Sequence, residues 1–197
     1  ESVGFSSTTS PGGGRGGYSW SSNGRNPITT APGNAGWGGD NRQNSGGFGG
    51  RNLDNASTTR VFLGGGGGAG DSNNNTGTSG ADGGGIVFVV AKGNIGGTGS
   101  VTANGDTPPN TSSCSTCFGD AAGGGGGGGS VVMHSLTGSL STISISANGG
   151  TGGSQNIITT TGECESPGGG GGGGYVATSP RTGVTVTVNG GNNGHTD

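Results

Sequence analysis

Three cysteines, two histidines and a few oxygen-rich stretches are the places where this chain could do chemistry. Cys114-Ser-Thr-Cys117 has the spacing of a zinc-binding pair, with His134 as a further ligand. The competing reading is a disulfide formed in an oxidising compartment. Cys117 lies six residues before Gly123 and Cys164 four before Gly168, so they hold nearly equivalent positions ahead of two glycine runs. The favoured expectation is a bridge from Cys164 to Cys114 or Cys117, with the odd cysteine free to link subunits. Asp71-Ser-Asn73-Asn-Asn75 alternates oxygen-bearing side chains like a calcium loop, but lacks the glycine at its sixth position and a later bidentate Glu, so a solvated loop is expected. Asn55, Asn74 and Asn110 each begin a formal glycosylation acceptor triplet.

Catalysis has little to work with. His134 follows an apolar block and His195 lies near the end of the sequence; no Gly-x-Ser-x-Gly elbow or zinc-protease helix is present. No glycine run leads through Lys-Ser or Lys-Thr into a helix, so the parts of a phosphate-binding loop are missing. The expectation is a protein that is not an enzyme and takes no cofactor or metal. Net charge is −3, there is a single lysine (Lys92), and Arg15 begins the one Arg-Gly-Gly, which speaks against a nucleic-acid partner. No stretch approaches the ~18 apolar residues of a membrane helix, and the sequence opens in polar residues without a signal peptide, which reads as a leader already removed or a processed fragment.

The elements that must position any such residues are built around uninterrupted glycine. Runs extend from Gly64 to Gly68, from Gly123 to Gly129 and from Gly168 to Gly174. Glycine stabilises neither helix nor strand, since it loses the most backbone entropy and brings no side chain to pack. What it does allow is an extended left-handed helix with three residues per turn, lying at backbone contact distance from others of its kind. Its amide groups, unpaired within one such helix, must then bond to adjacent segments. With 56 glycines and only 24% hydrophobic residues, an ordinary apolar core is too small for 197 residues, so backbone hydrogen bonds must carry an unusual share of stability. Composition alone would fit a disordered chain, but the apolar residues are gathered into strand-like blocks between the runs.

From residue 61 the chain repeats. The glycine stretches end at Gly85, Gly129 and Gly174, spaced 44 and 45 residues apart, and Asn-Gly pairs recur at Asn104, Asn148 and Asn189. Each unit reads as glycine stretch, apolar strand, short turn, second strand, Asn-Gly and polar loop. Residues 86–91, apolar at every position, predict a strand buried between layers and partnered by residues 100–104. Residues 131–133, with a turn at Thr137 and Gly138, and 143–146 form the second pair; residues 175–177 and 184–188 form the third. The Asn-Gly steps predict sharp reversals at positive φ. Loops at 69–82, 106–122 and 151–167 are rich in Ser, Thr, Asn and Asp, and stacked units would bring them out at one rim. Residues 1–60, where Tyr18, Trp20, Trp37 and Phe48 stand among glycines, predict a segment packed on the repeats of 61–197. The fold class is therefore all-β and irregular: short strands layered with polyglycine II helices, and no α-helix.

The last run, followed by Tyr175 and by Gly183-Val-Thr-Val-Thr-Val188-Asn-Gly-Gly191, resembles the glycine-rich domain of bacterial surface proteins and phage tail proteins. Glycine runs separated by variable loops also resemble the tip adhesins of T-even-like phage long tail fibres. That resemblance implies a sandwich of polyglycine II helices whose end loops bind a host surface receptor. Its strand pairs and three cysteines depart from that pattern. The expected function is an extracellular structural protein whose subunits assemble with copies of themselves into a filament or surface layer. The alternative is an adhesin that binds a cell-surface receptor or glycan through its loops. A minor alternative is ice binding through a threonine row.

Overall fold

The computed structural model describes residues 46–51, 61–70, 77–111, 121–156 and 167–195. Among them there is no helix; the regular elements are β1 (Ile86–Ala91), β2 (Ile95–Thr102), β3 (Ser130–Ser135), β4 (Leu140–Ser146), β5 (Tyr175–Ser179) and β6 (Val184–Thr187). Two three-stranded parallel sheets result, in the orders β1-β3-β5 and β2-β4-β6. The fold is thus all-β.

The remaining described residues form eight extended segments without strand pairing of the usual kind, and segment 121–129 lies at their centre. It exchanges backbone hydrogen bonds with six neighbours. Gly124 and Gly127 donate to Gly68 and Gly65; Gly125 and Gly128 donate to Gly169 and Gly172; Gly126 and Gly129 donate to Asp106 and Ala103. Its carbonyls accept in the same rhythm, Ala122 and Gly125 from Gly47 and Gly50, Gly124 and Gly127 from Ala81 and Gly84, Gly123 and Gly126 from Gly153 and Gly150. Every third residue therefore faces the same neighbour. These bonds measure 2.8–3.0 Å, ordinary amide geometry.

That pattern explains why glycine is required. A Cβ built at Gly126 falls 1.8 Å from the Asp82 carbonyl oxygen, at Gly128 2.2 Å from that of Ala147, and at Gly124 2.2 Å from that of Phe48. Backbones this close leave no room for a methyl group at these positions of the central segment.

The bonding sequence orders the segments into three layers. Segments 77–85, 121–129 and 167–174 form the middle layer and continue directly into β1, β3 and β5. Segments 103–111, 147–156 and 188–195 form a second layer and follow directly from β2, β4 and β6. Segments 46–51 and 61–70 lie against the opposite side of the middle layer. Phe62 at the start of the latter is tied to buried Ser130, whose hydroxyl accepts from the Phe62 N–H at 3.0 Å and donates to its carbonyl at 2.8 Å.

Side chains return where the segments become strands. Val131, Met133, Leu140, Ile143, Ile145, Ala103 and Ala147 form a small core between the two sheets, with Val87, Val101, Val176 and Val184 packed against it. β-branched residues dominate because they suit a half-buried pleated surface.

Three expectations are corrected. β1 pairs with β3, Ile86 opposite Ser130, and β2 pairs with β4, so each strand's hydrogen-bonding partner belongs to the next passage of the chain, while β1 and β2 lie in different sheets. β1 is partly buried on one face only: Ile86, Phe88 and Val90 are 40%, 65% and 50% exposed. The Asn-Gly steps do not reverse the chain. Among described residues positive φ occurs at Thr142, Gly97 and Gly183, and the backbone runs straight from each second strand into an extended segment.

Candidate functional site

Direction along the segments decides which residues share an end. Segments 46–51, 77–85 and 167–174 run parallel to 121–129, whereas 61–70, 103–111, 147–156 and 188–195 run the other way. All the strands therefore stand at one end of the layers. Residues 70 and 77, 111 and 121, and 156 and 167, where the chain leaves and re-enters the described structure, stand at the other. Backbone bonds tie these points together: Gly70 donates to the Thr78 carbonyl, Thr78 to that of Ala121 and Thr111 to that of Ser154. Asn156 is held to Thr111 by both its backbone N–H, on the threonine hydroxyl at 3.0 Å, and its side-chain amide, on the carbonyl at 2.9 Å.

Cys114, Cys117, Cys164, Asn55, Asn74 and the oxygen-rich stretch 71–75 lie outside the described residues. The residues that bound the two cysteine-bearing connections are nonetheless joined, because Thr111 precedes one and Asn156 the other. Asn110 is described, exposed, and engaged: its side-chain oxygen accepts the Ser154 N–H at 2.9 Å. His134 lies on β3 opposite Ser179, and His195 ends the last segment with its ring nitrogen 3.3 Å from the Ser154 hydroxyl. Among the described residues no three of His, Cys, Asp and Glu stand close enough to hold a metal ion. Nor is any helix there long and apolar enough to cross a membrane.

The polar stretches read as loops prove partly extended. Residues 77–82, 106–111 and 151–156 continue the bonded layers, with Ala81 donating to Gly124 and Asp106 to Asp82. Glycine is unnecessary at positions facing outward, and these recur every third residue: Asn104, Thr107, Asn110 in one segment, Asn148 and Thr151 in the next, where Ser154 continues the series but is buried with its hydroxyl against the His195 ring. The third repeats it with Asn189, Asn192 and His195. That spacing was the overlooked signal in the sequence.

These side chains cross-link neighbouring segments along the outer face. Asn148 N–H donates to Asn104 Oδ1 and Asn189 N–H to Asn148 Oδ1, both at 2.8 Å, and Thr151 N–H to Thr107 Oγ1 at 3.2 Å. The face continues over the second sheet, where Ser100, Ser144 and Thr185 lie side by side, as do Thr102, Ser146 and Thr187. Three adjacent columns of hydroxyl and amide groups result. The opposite outer face, on β1-β3-β5, is apolar around Phe88.

Comparison with known proteins adds no relative: no family model, no curated protein and no solved structure matches the chain.

Proposed function

We propose that this protein is a non-enzymatic extracellular scaffold that displays the connections 71–76, 112–120 and 157–166 to a cell-surface receptor or glycan. The observation that carries it is the gathering of all three pairs of flanking residues at one end, held by Thr111, Asn156, Thr78 and Ala121. In this reading the extended segments are polyglycine II helices and the passages from residue 77 onward are units of about 44 residues. The three-residue bonding rhythm of segment 121–129 supports the first, since that helix has three residues per turn. Cross-segment bonds joining residues 44 or 45 apart support the second. A rigid backbone-bonded base suits display, because the connections can vary in sequence without disturbing the contacts beneath them.

Replacing 112–120 with a Gly/Ser linker of equal length should abolish retention of labelled protein on bacterial cells or an array of surface glycans, while the melting temperature stays within a few degrees. Retention unchanged after all three connections are replaced would overturn the reading.

A lesser reading, ice binding, draws on the outer face, where three columns of hydroxyls stand. Thermal hysteresis that survives replacement of the connections but is lost in Ser144→Asp would favour it. The filament or surface-layer reading draws on the open edges of the two sheets.

A further inference from the structure

We infer that a few side chains on the two lateral edges hold off a second copy of this chain, which would otherwise add by the same contacts that join one passage to the next. Within the middle layer, bonding advances in a fixed series. Ala81 donates to Gly124, and Gly125 to Gly169; Gly84 donates to Gly127, and Gly128 to Gly172. The next donors in register are the N–H groups of Gly170 and Gly173. In a second copy shifted by one step, their acceptors would be the carbonyls of Gly80 and Gly83. Gly173 N–H and those two carbonyls make no bond among the described residues. A donor edge and an acceptor edge of the same spacing thus stand on opposite sides of one molecule, the arrangement from which head-to-tail fibres grow.

The same edges carry what prevents this. Interior segments approach so closely that the incoming residue must be glycine. Cβ atoms built at Gly123, Gly126 and Gly129 fall 2.1, 1.8 and 2.0 Å from the carbonyl oxygens of Ser79, Asp82 and Gly85. Those at Gly168, Gly171 and Gly174 fall 1.8, 2.0 and 2.1 Å from those of Gly123, Gly126 and Gly129. The residues in the same register on segment 77–85 are Ser79, Asp82 and Gly85, all exposed. Docked at interior spacing, the first two would drive real side chains into the carbonyls of Gly168 and Gly171.

The second layer repeats the substitution. Gly150 and Gly191 each place a built Cβ within 2.0 Å of the preceding segment's carbonyl, and Gly194 does so at 2.0 Å; the residues in register at the free edge are Asp106 and Pro109, both exposed. On the opposite edge Asn193 projects its side chain over the middle layer and accepts the Gly170 N–H at 3.0 Å, filling the position of the missing neighbour. Glycine gives way to bulk, charge, proline or a substitute acceptor at these five places. Gly85 alone remains, and its built Cβ meets nothing within 4 Å.

The test is sedimentation and electron microscopy of the full chain and of a fivefold variant, Ser79→Gly, Asp82→Gly, Asp106→Gly, Pro109→Gly and Asn193→Gly. Wild type should remain monomeric, and the variant should form linear chains lengthening with concentration. Adding Gly85→Leu to the variant should return it to monomer, because that side chain points at the docked copy's Gly174 carbonyl. Lateral chains of wild-type protein, or a folded variant that stays monomeric, would overturn the inference. If the fivefold variant fails to fold, the changes are divided between two proteins: Asn193→Gly, with its donor edge cleared, is mixed with Ser79→Gly, Asp82→Gly, Asp106→Gly, Pro109→Gly, with its acceptor edge cleared in both layers; a 1:1 dimer is expected, and two cooperatively melting partners that stay separate overturn it equally.

Discussion

Adding one methyl group at Gly126 and adding one at Gly85 are the same chemical change with opposite expected effects. At Gly126 the new carbon would sit 1.8 Å from the Asp82 carbonyl oxygen, whereas ordinary contact needs 3.4–4 Å. Segments 77–85 and 121–129 must therefore part by about 1.5 Å, stretching the bonds Ala81 to Gly124 and Gly84 to Gly127 from 3.0 and 2.8 Å to beyond hydrogen-bonding range. Each lost bond costs about 1 kcal/mol net, and more where the groups stay buried from water, so Gly126→Ala should lose roughly 3–5 kcal/mol. For a chain of this size that lowers the melting temperature by roughly 6–20 °C. At Gly85 the carbon meets nothing within 4 Å and φ lies outside the left-handed region. Removing a glycine from such a position restricts the unfolded chain and should stabilise by about 0.4–1 kcal/mol, a rise of roughly 1–4 °C. Melting both variants by circular dichroism checks the pair. Equal shifts, or a Gly126→Ala protein as stable as wild type, would show that the segments do not touch through their backbones in solution.

Ser130→Ala removes both bonds that Ser130 makes to Phe62 and should cost about 2 kcal/mol, read as a lower denaturation midpoint with unchanged m-value. Mass analysis of unreduced peptides should find Cys164 joined to Cys114 or Cys117; three free thiols would exclude it. That bridge closes a loop of about 50 residues, so reduction should destabilise by about 4 kcal/mol. Asn148→Ala takes the acceptor from the Asn189 N–H and should cost about 0.5–1.5 kcal/mol, measured as faster amide exchange at Asn189.

Much of the architecture was legible in the residues, for physical reasons that also mark where it stopped. Unbroken glycine at 123–129 permits one packing arrangement that side chains forbid, so close backbone contact could be expected there. The alternation at Ile143-Ser-Ile-Ser placed β4 with one face inward, and Ile143 and Ile145 are indeed buried. Pairing partners were not legible. A turn at Thr137 and Gly138 joins β3 to β4 whether these bond to each other or stand in facing sheets, and nothing local distinguishes the two. Asn148-Gly149 misled because asparagine commonly favours a reversal through its own side chain. Here the Asn148 side chain instead accepts from the following segment, a partner far away in sequence. The stretches 106–111 and 151–156 were hidden by composition. Only two of every three residues in an outermost segment face a neighbour, so a polar side chain at the third breaks the glycine run without breaking the layer.

The interior formed by the described residues is made chiefly of amide groups meeting amide groups, and that has a thermal consequence. Heat-capacity change on unfolding rises with the apolar surface exposed and falls with the polar surface exposed. With the hydrocarbon interior of the described residues gathered around Val131 and Ile145, the protein should unfold with a small change for its length. Its free-energy curve against temperature should be correspondingly flat, shallow at its summit and slow to fall as the solution is chilled.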